Sequence, residues 1–314
     1  MIPEPAIDRL SAMFRSPDVT GTRYELVSIL GRGGMGVVYL ARDTALDREV
    51  ALKIFDRAPG DANEARLIAR LEHPGIVPVH DFGELPDGRQ FYAMKLVRGD
   101  RLDRWMGAGR DISERLGVFL RVCDAVAFAH AHGVVHRDLK PANVMVGEFG
   151  EVLVLDWGIA AELTNADSGL RPSTSSGRPE ALEGRTADSG SRGRDSIVGT
   201  PEYMAPEQAR GDAGVDHRAD VFALGAMLAG IAAGSAPVVA IARKAQSPDP
   251  ASRYQSVAAL AADVNRYLAG RAVEAHREPL VDRLVRIGRR HRLPILLVLT
   301  YMAARVLLLY FFRV

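Results

Sequence analysis

The sequence contains one cysteine, Cys123, in 314 residues. That excludes an internal disulfide framework and suits a reducing cytoplasm. Cys123 stands among apolar residues at helical spacing, where a thiol serves as buried packing rather than as a nucleophile. A charge bias is also missing. The 40 Lys and Arg nearly balance the 39 Asp and Glu, for a formal net charge of +1, which argues against a general nucleic-acid binder. No basic-then-apolar start marks a signal peptide. Residues 1–23 show prolines and serines without a clear period, and read as a loose arm with a short helix at 6–14.

The chain is organised around His136-Arg137-Asp138-Leu139-Lys140-Pro141-Ala142-Asn143. Before it, Leu116, Phe119, Leu120, Cys123 and Ala127 recur at helical spacing. After it, Val144-Met145-Val146 reads as a short strand. A loop between a buried helix and a strand thus presents Asp138, Lys140 and Asn143 together. Phosphoryl transfer from a nucleotide needs these groups: a carboxylate to orient a hydroxyl and take its proton, a cation at the γ-phosphate, and an amide oxygen for a metal ion. A turn at 147–150 and the apolar run 151–155 make a hairpin with Val144-Met145-Val146. Antiparallel pairing brings Asn143 and Asp156 to one end, and one amide plus one carboxylate suits Mg²⁺.

Upstream, 24–30 reads as a strand, Gly31-Arg32-Gly33-Gly34-Met35-Gly36 as a turn, and 37–41 as the returning strand. Such a hairpin lets backbone N–H groups approach phosphates without side-chain clash. The same glycine spacing serves dinucleotide folds, but there a helix follows, and here a strand does. In the strand 49–55, period two places Val50, Leu52 and Ile54 on one face and Ala51 and Lys53 on the other. A small residue beside an amine suits an adenine next to phosphates. In 63–71, Leu67, Ile68 and Leu71 share a helical face, and Glu64, one turn earlier, can point inward with them; Glu72 is the weaker candidate. The segment 73–77 ends that helix and starts a strand, and 91–97 is a further strand after a Pro-Asp-Gly turn.

These strings resemble those of the protein kinase family. Gly-Gly-Met-Gly-Val-Val-Tyr (33–39) and Gly-Thr-Pro-Glu-Tyr-Met-Ala-Pro-Glu-Gln (199–208) are similar to those of bacterial serine/threonine kinases, and Lys140 points to the same branch. The likeness covers residues 24–270. It implies an α+β, two-lobed fold: a small β-rich lobe at 24–97 and a larger helical lobe at 98–270. ATP would lie between them, against Leu30, Gly31, Arg32, Gly33, Gly34, Met35, Gly36, Val37, Val38, Ala51, Lys53, Met94 and Val97. By resemblance Met94 backs the adenine pocket, 95–97 form the hinge, Lys53 holds the phosphates and pairs with Glu64, and Asn143 and Asp156 hold Mg²⁺. Asp138 would orient the acceptor, Lys140 would stabilise the transferring phosphoryl group, Thr200 would shape the acceptor pocket, Glu207 would pair with Arg253, and Asp220 would cap the catalytic loop. The expected partners are proteins bearing Ser or Thr, with a second copy of the chain also a candidate. The alternative is a nucleotide-binding scaffold without activity.

The chain departs from the family in three places. Asp156-Trp157-Gly158 replaces Asp-Phe-Gly, which keeps a large apolar anchor but changes its size. Residues 164–196, rich in Ser, Gly and Arg, lack an apolar period and are expected to be a disordered insertion in the activation segment. Its Ser173, Thr174, Ser175, Ser176, Thr186, Ser191 and Ser196 are candidates for autophosphorylation, with Arg137 as the docking cation. After Leu228-Ala229-Gly230 the chain passes almost directly to 238–245, without the helix that docks substrates in relatives. Val257, Leu260, Ala261, Val264, Tyr267 and Leu268 then form an amphipathic stripe.

At the C-terminal end, Arg283, Arg286, Arg289, Arg290, His291 and Arg292 belong to a basic segment at 271–292, and 293–312 is nearly all apolar. That length can cross a bilayer. Arg305 costs roughly 2.5–3.5 kcal/mol at mid-span, which the many Leu, Val and Ile at about −0.3 to −0.6 kcal/mol each can outweigh. The expectation is a single-pass anchor in the inner membrane with the other domain in the cytoplasm. Only Arg313 and Val314 follow, so a stimulus is expected to arrive through partners or through the anchor.

Overall fold

The computed structural model describes residues 17–33, 36–55, 69–107, 109–157, 161–162, 202–212, 214–232, 234–276 and 292–311; side chains are described neither at 161–162 nor, in the last helix, outside 296–305. Five strands form the first lobe: β1 (Tyr24–Gly33), β2 (Gly36–Asp43), β3 (Arg48–Phe55), β4 (Val79–Glu84) and β5 (Gln90–Lys95). They pair antiparallel in the order β1-β2-β3-β5-β4. The alternation in β3 sorts the core as period two requires. Val50, Leu52 and Ile54 join Tyr24, Tyr39 and Phe91 on one side of the sheet, while Ala51 and Phe55 join the larger cluster that runs into the second lobe.

The glycine turn is tighter than the sequence suggests. β1 runs on through Gly33 and β2 begins at Gly36, with Gly33 opposite Gly36 and Arg32 opposite Val37. Gly36 has φ +151°, and a Cβ there would lie 2.1 Å from the Ile54 carbonyl oxygen, so only glycine fits against β3. The strand expected from residue 73 onwards is reduced to a single bridge, Ile76 to Val154, and β4 starts at Val79.

The second lobe begins with β6 (Gly99–Arg101) and α1 (Leu102–Met106), then α2 (Ile112–Ala131), capped by Asp111, whose side chain accepts from the Glu114 N–H at 2.7 Å. Leu116, Phe119, Val122, Cys123 and Val126 of α2 are buried. Next come β7 (Val134–Val135), a 3₁₀ turn (Pro141–Asn143), and β8 (Val144–Gly147) paired with β9 (Val152–Val154). β10 (Ala161–Glu162) pairs with β7. The remaining helices are α3 (Pro206–Ala209), α4 (Arg218–Ile231), α5 (Ala236–Ala245), α6 (Val257–Leu268) and α7 (Arg292–Phe311). Only residues 232–235 separate α4 from α5, so no helix intervenes there. In α6 the stripe buries Val257, Leu260 and Val264, but Leu268 is 39% exposed.

The expected C-terminal span corresponds to α7, and the side chains described there, 296–305, are exposed. Among the described residues no helix is long and apolar enough to cross a membrane. The arm at 1–16, the residues around Glu64, and the insertion at 164–196 lie outside the described residues.

Glu207 lies in the first turn of α3, and Arg253 meets it from across the lobe with two parallel bonds, Nη1 to Oε1 at 2.6 Å and Nη2 to Oε2 at 2.7 Å. The guanidinium also donates to the carbonyls of Ser247 and Arg218 at 2.7 and 2.9 Å. Burial pushes the Glu207 carboxyl up, but the bonds from Arg253 outweigh it and hold the group below its ordinary value. Arg253→Met strands that carboxylate in the core and is expected to cost about 3–5 kcal/mol in urea unfolding at neutral pH. Because the folded-state pKa is depressed, the pair's contribution is present above the unfolded carboxylate value and fades as pH falls through the folded one. The variant should therefore lose less stability on acidification than the wild type. Unfolding curves that superimpose at neutral pH would contradict this.

Candidate active site between the lobes

The loop 136–143 is fixed from beneath by one carboxylate. Asp220, fully buried in the first turn of α4, accepts from the backbone N–H groups of His136 and Arg137, both at 2.8 Å, and lies 2.7 Å from His130 Nε2. Burial raises its pKa, and the His130 hydrogen bond leads the terms that more than reverse this, so it is held below the ordinary value and stays ionised. These bonds hold Arg137 at φ +66°, a left-handed conformation that costs a non-glycine residue about 1–3 kcal/mol. Gln208 Nε2 donates to the Arg137 carbonyl at 2.9 Å and ties the loop to α3.

The His136 ring links this loop to the segment carrying Asp156. Its Nδ1 accepts from the Asp138 N–H at 3.2 Å, so Nε2 carries the proton and donates to the Leu155 carbonyl at 3.0 Å. Trp157 is fully buried, 4.6 Å from the His136 ring centre. The indole thus fills the anchoring role expected of it. Its Nε1 has no hydrogen-bond partner among the described residues.

Three polar groups stand together on the loop. Lys140 Nζ donates to Asp138 Oδ2 at 2.8 Å. Asn143 Nδ2 donates to the Asp138 carbonyl at 2.9 Å and to Oδ2 at 3.2 Å. Its amide hydrogens are thereby committed, and its oxygen is the end left for a cation. The Leu155 N–H donates to the Asn143 carbonyl at 2.8 Å, which brings the start of β8 and the end of β9 together.

From the first lobe, Lys53 reaches the same place. Its Nζ lies 2.7 Å from Asp156 Oδ1, although 103 positions separate the two residues. The rings of Phe55 and Tyr92 flank the ammonium at 5.1 and 5.6 Å. Tyr92 is its cross-strand neighbour on β5, as Met94 is of Ala51. Burial pushes the Asp156 carboxyl up, and Lys53 outweighs this with its charge and hydrogen bond, so the group is lowered overall and ionised at neutral pH.

A cavity of about 490 Å³ opens between the lobes. Val38, Ala51, Met94, Leu96 and Met145 line its apolar part, and Lys53, Asn143 and Asp156 its polar part. An apolar slot leading to a cation and a carboxylate–amide pair suits a purine nucleotide with a divalent cation. Among the described residues no three His, Cys, Asp or Glu side chains cluster to hold a metal by themselves.

Of the expected nucleotide set, Leu30, Gly31, Val38, Ala51, Lys53, Met94 and Val97 line the cavity. Val37 does not: one position along the strand from Val38, its side chain points into the first-lobe cluster. Arg32, Gly33 and Gly36 lie in the hairpin away from the lining, and Gly34, Met35 and Glu64 are outside the described residues. Tyr92, Met145, Leu155 and Ala142 line the cavity as well and were not singled out from the sequence. Pairing of β3 with β5 and of β8 with β9 was the available signal for the first three.

The protein kinase domain profile matches residues 24–295. The chain is 42% identical over 231 residues to the DNA damage-responsive serine/threonine-protein kinase RqkA of Deinococcus radiodurans, covering 69% of this chain and 30% of that protein. It is 34% identical over 304 residues to the serine/threonine-protein kinase PknB of Mycolicibacterium smegmatis, covering 83% and 45%. It is 31% identical over 299 residues to the serine/threonine-protein kinase PknD of Chlamydia caviae, covering 79% and 31%. The chain therefore spans less than half the length of each of these relatives. With the profile running through most of the chain and the cleft built as described, the chain belongs to the protein kinase domain family.

Proposed function

We propose that this chain is an ATP- and Mg²⁺-dependent serine/threonine protein kinase acting on protein hydroxyls, with residues 24–270 as the catalytic domain. The observation that carries the reading is the approach of Lys53 to Asp156 across the cleft, within reach of the loop that holds Asp138, Lys140 and Asn143. The names of the relatives support the same chemistry. In this reading the apolar slot takes the adenine, and Lys53 meets the phosphates, with Glu64 as its partner on the first lobe. Asn143 and Asp156 hold Mg²⁺, which supplies charge neutralisation at the phosphates. Asp138 orients the acceptor hydroxyl and takes its proton. Lys140, already 2.8 Å from Asp138, stabilises the phosphoryl group in transit.

Autophosphorylation within 164–196 is part of the proposal, with Arg137 as the docking cation. So is membrane association through α7. The exposed Leu296, Leu297, Val298, Leu299 and Met302 support it, because such side chains are costly to leave in water.

Asp138→Asn should lower labelled phosphate transfer from Mg-ATP to a serine peptide by about 10²–10⁴-fold, since it removes a general base. Nucleotide affinity should stay within a few-fold of wild type. Equal, near-zero labelling in wild type and variant, with ATP still bound, would replace the enzyme by a scaffold. For α7, carbonate washing of membranes should leave the full chain in the pellet and release a chain truncated before Arg292. Release of both would remove the anchor.

A further inference from the structure

Away from the nucleotide cavity, an open groove of about 870 Å³ lies along α5 in the second lobe. Residues 232–235 alone connect α4 to α5, and Gly234 of that connection lines one end of the groove. Ala236, Val239, Ala240 and Arg243 of α5 line it, at the i, i+3, i+4, i+7 spacing of one helix face. The opposite face, Val238, Ile241, Ala242 and Ala245, is buried against the lobe. Lys244, Gln246, Ser247, Ser252 and His276 complete the polar wall, and no carboxylate lines the groove among the described residues.

The neighbouring acids are engaged elsewhere. Asp249 accepts from Ser252 Oγ at 2.8 Å and from the Ala251 N–H at 3.1 Å. Glu274 pairs with Arg266 at 2.7 Å. Arg243 and His276 make no side-chain hydrogen bond or ion pair among the described residues. The walls are fixed. Lys244 Nζ sits 4.2 Å from the Tyr254 ring centre, and Tyr254 donates to Asp263 at 2.7 Å. Asp263 in turn accepts from the N–H groups of Glu274 and Ala275 at 2.7 and 3.1 Å, which holds the stretch ending at His276. On the other side Gln246 Nε2 donates to the Gly225 carbonyl at 3.1 Å.

A preformed groove with small apolar side chains along its floor, whose charged lining residues among those described are the cations Arg243 and Lys244, selects an occupant of opposite charge. We propose that this groove docks an acidic amphipathic segment of a partner protein, which lays its apolar face on Val239 and Ala240 and its carboxylates on Arg243 and Lys244. The chain's own 277–291 is a poor occupant, since it carries Arg277, Arg283, Arg286, Arg289 and Arg290 against Glu278 and Asp282. The proposal does not depend on phosphoryl transfer.

The test uses the full chain in detergent micelles and a fluorescein-labelled peptide with Glu and Leu at helical spacing. Anisotropy should show saturable binding that weakens with salt, no binding of the matching Lys and Leu peptide, and unchanged binding by Asp138→Asn. Arg243→Glu and Val239→Asp should each weaken binding by roughly tenfold, with Arg243→Lys retaining most of it. Arg243 is exposed, whereas Val239 is half-buried and also packs against the lobe core, so an unchanged melting temperature is required of Val239→Asp before its binding is read. Absence of peptide binding, binding that Arg243→Glu leaves intact, or displacement of the peptide by short-chain phosphatidylglycerol acting through Arg243 would each overturn the proposal; the last would assign the groove to a lipid headgroup.

Discussion

A single buried carboxylate sets the geometry on which the cleft depends. Asp220 lies on α4, in the middle of the second lobe, and takes hydrogen bonds from two successive backbone N–H groups of the loop above it. Among the described residues neither N–H has another acceptor, and each would cost about 1–3 kcal/mol if left buried and unpaired. The loop is therefore pinned at His136 and Arg137, in a conformation that Arg137 would not adopt by preference. Asp138, Lys140 and Asn143 follow within six positions and inherit that placement. The chemistry of the site is thus anchored by a residue that touches none of the reacting groups.

The second constraint joins the lobes. Lys53 is almost fully buried on a strand whose neighbours are apolar, and a cation in that position needs anions and π faces around it. Asp156 supplies one charge from the other lobe. The same contact lowers the Asp156 pKa and keeps it in the form that can ligate a metal. Its left-handed backbone, φ +56°, is held between the Leu155 bonds and the buried Trp157. The large indole is accommodated in the core, and the carboxylate beside it stays within 2.7 Å of Lys53.

Much of this was legible in the sequence because local patterns encode it. The alternation in 49–55 sorts the two faces of β3, the hairpin at 144–155 brings Asn143 towards Asp156, and the Glu207–Arg253 and Asp220 contacts follow from the family resemblance. What escaped depends on partners distant in the chain. Gln208 on the Arg137 carbonyl, His130 on Asp220, and the Tyr92 ring beside Lys53 are cross-element contacts with no periodic signature. The family resemblance implies Val37 at the nucleotide, but strand alternation sends its side chain the other way. The shortened passage between α4 and α5 is legible as a missing helix; the groove beside α5 is not, because its walls come from α5, 246–252 and 275–276, which meet only in the assembled lobe.

A bound nucleotide must set its phosphates beside Lys53, and a lysine-directed acyl phosphate of ATP is the direct probe of that placement. It should acylate Lys53 in the intact protein, as read by peptide mass spectrometry, and excess Mg-ATP should suppress the label. Acylation spread over surface lysines with Lys53 unmodified, or labelling of Lys53 that Mg-ATP does not suppress, would contradict the account.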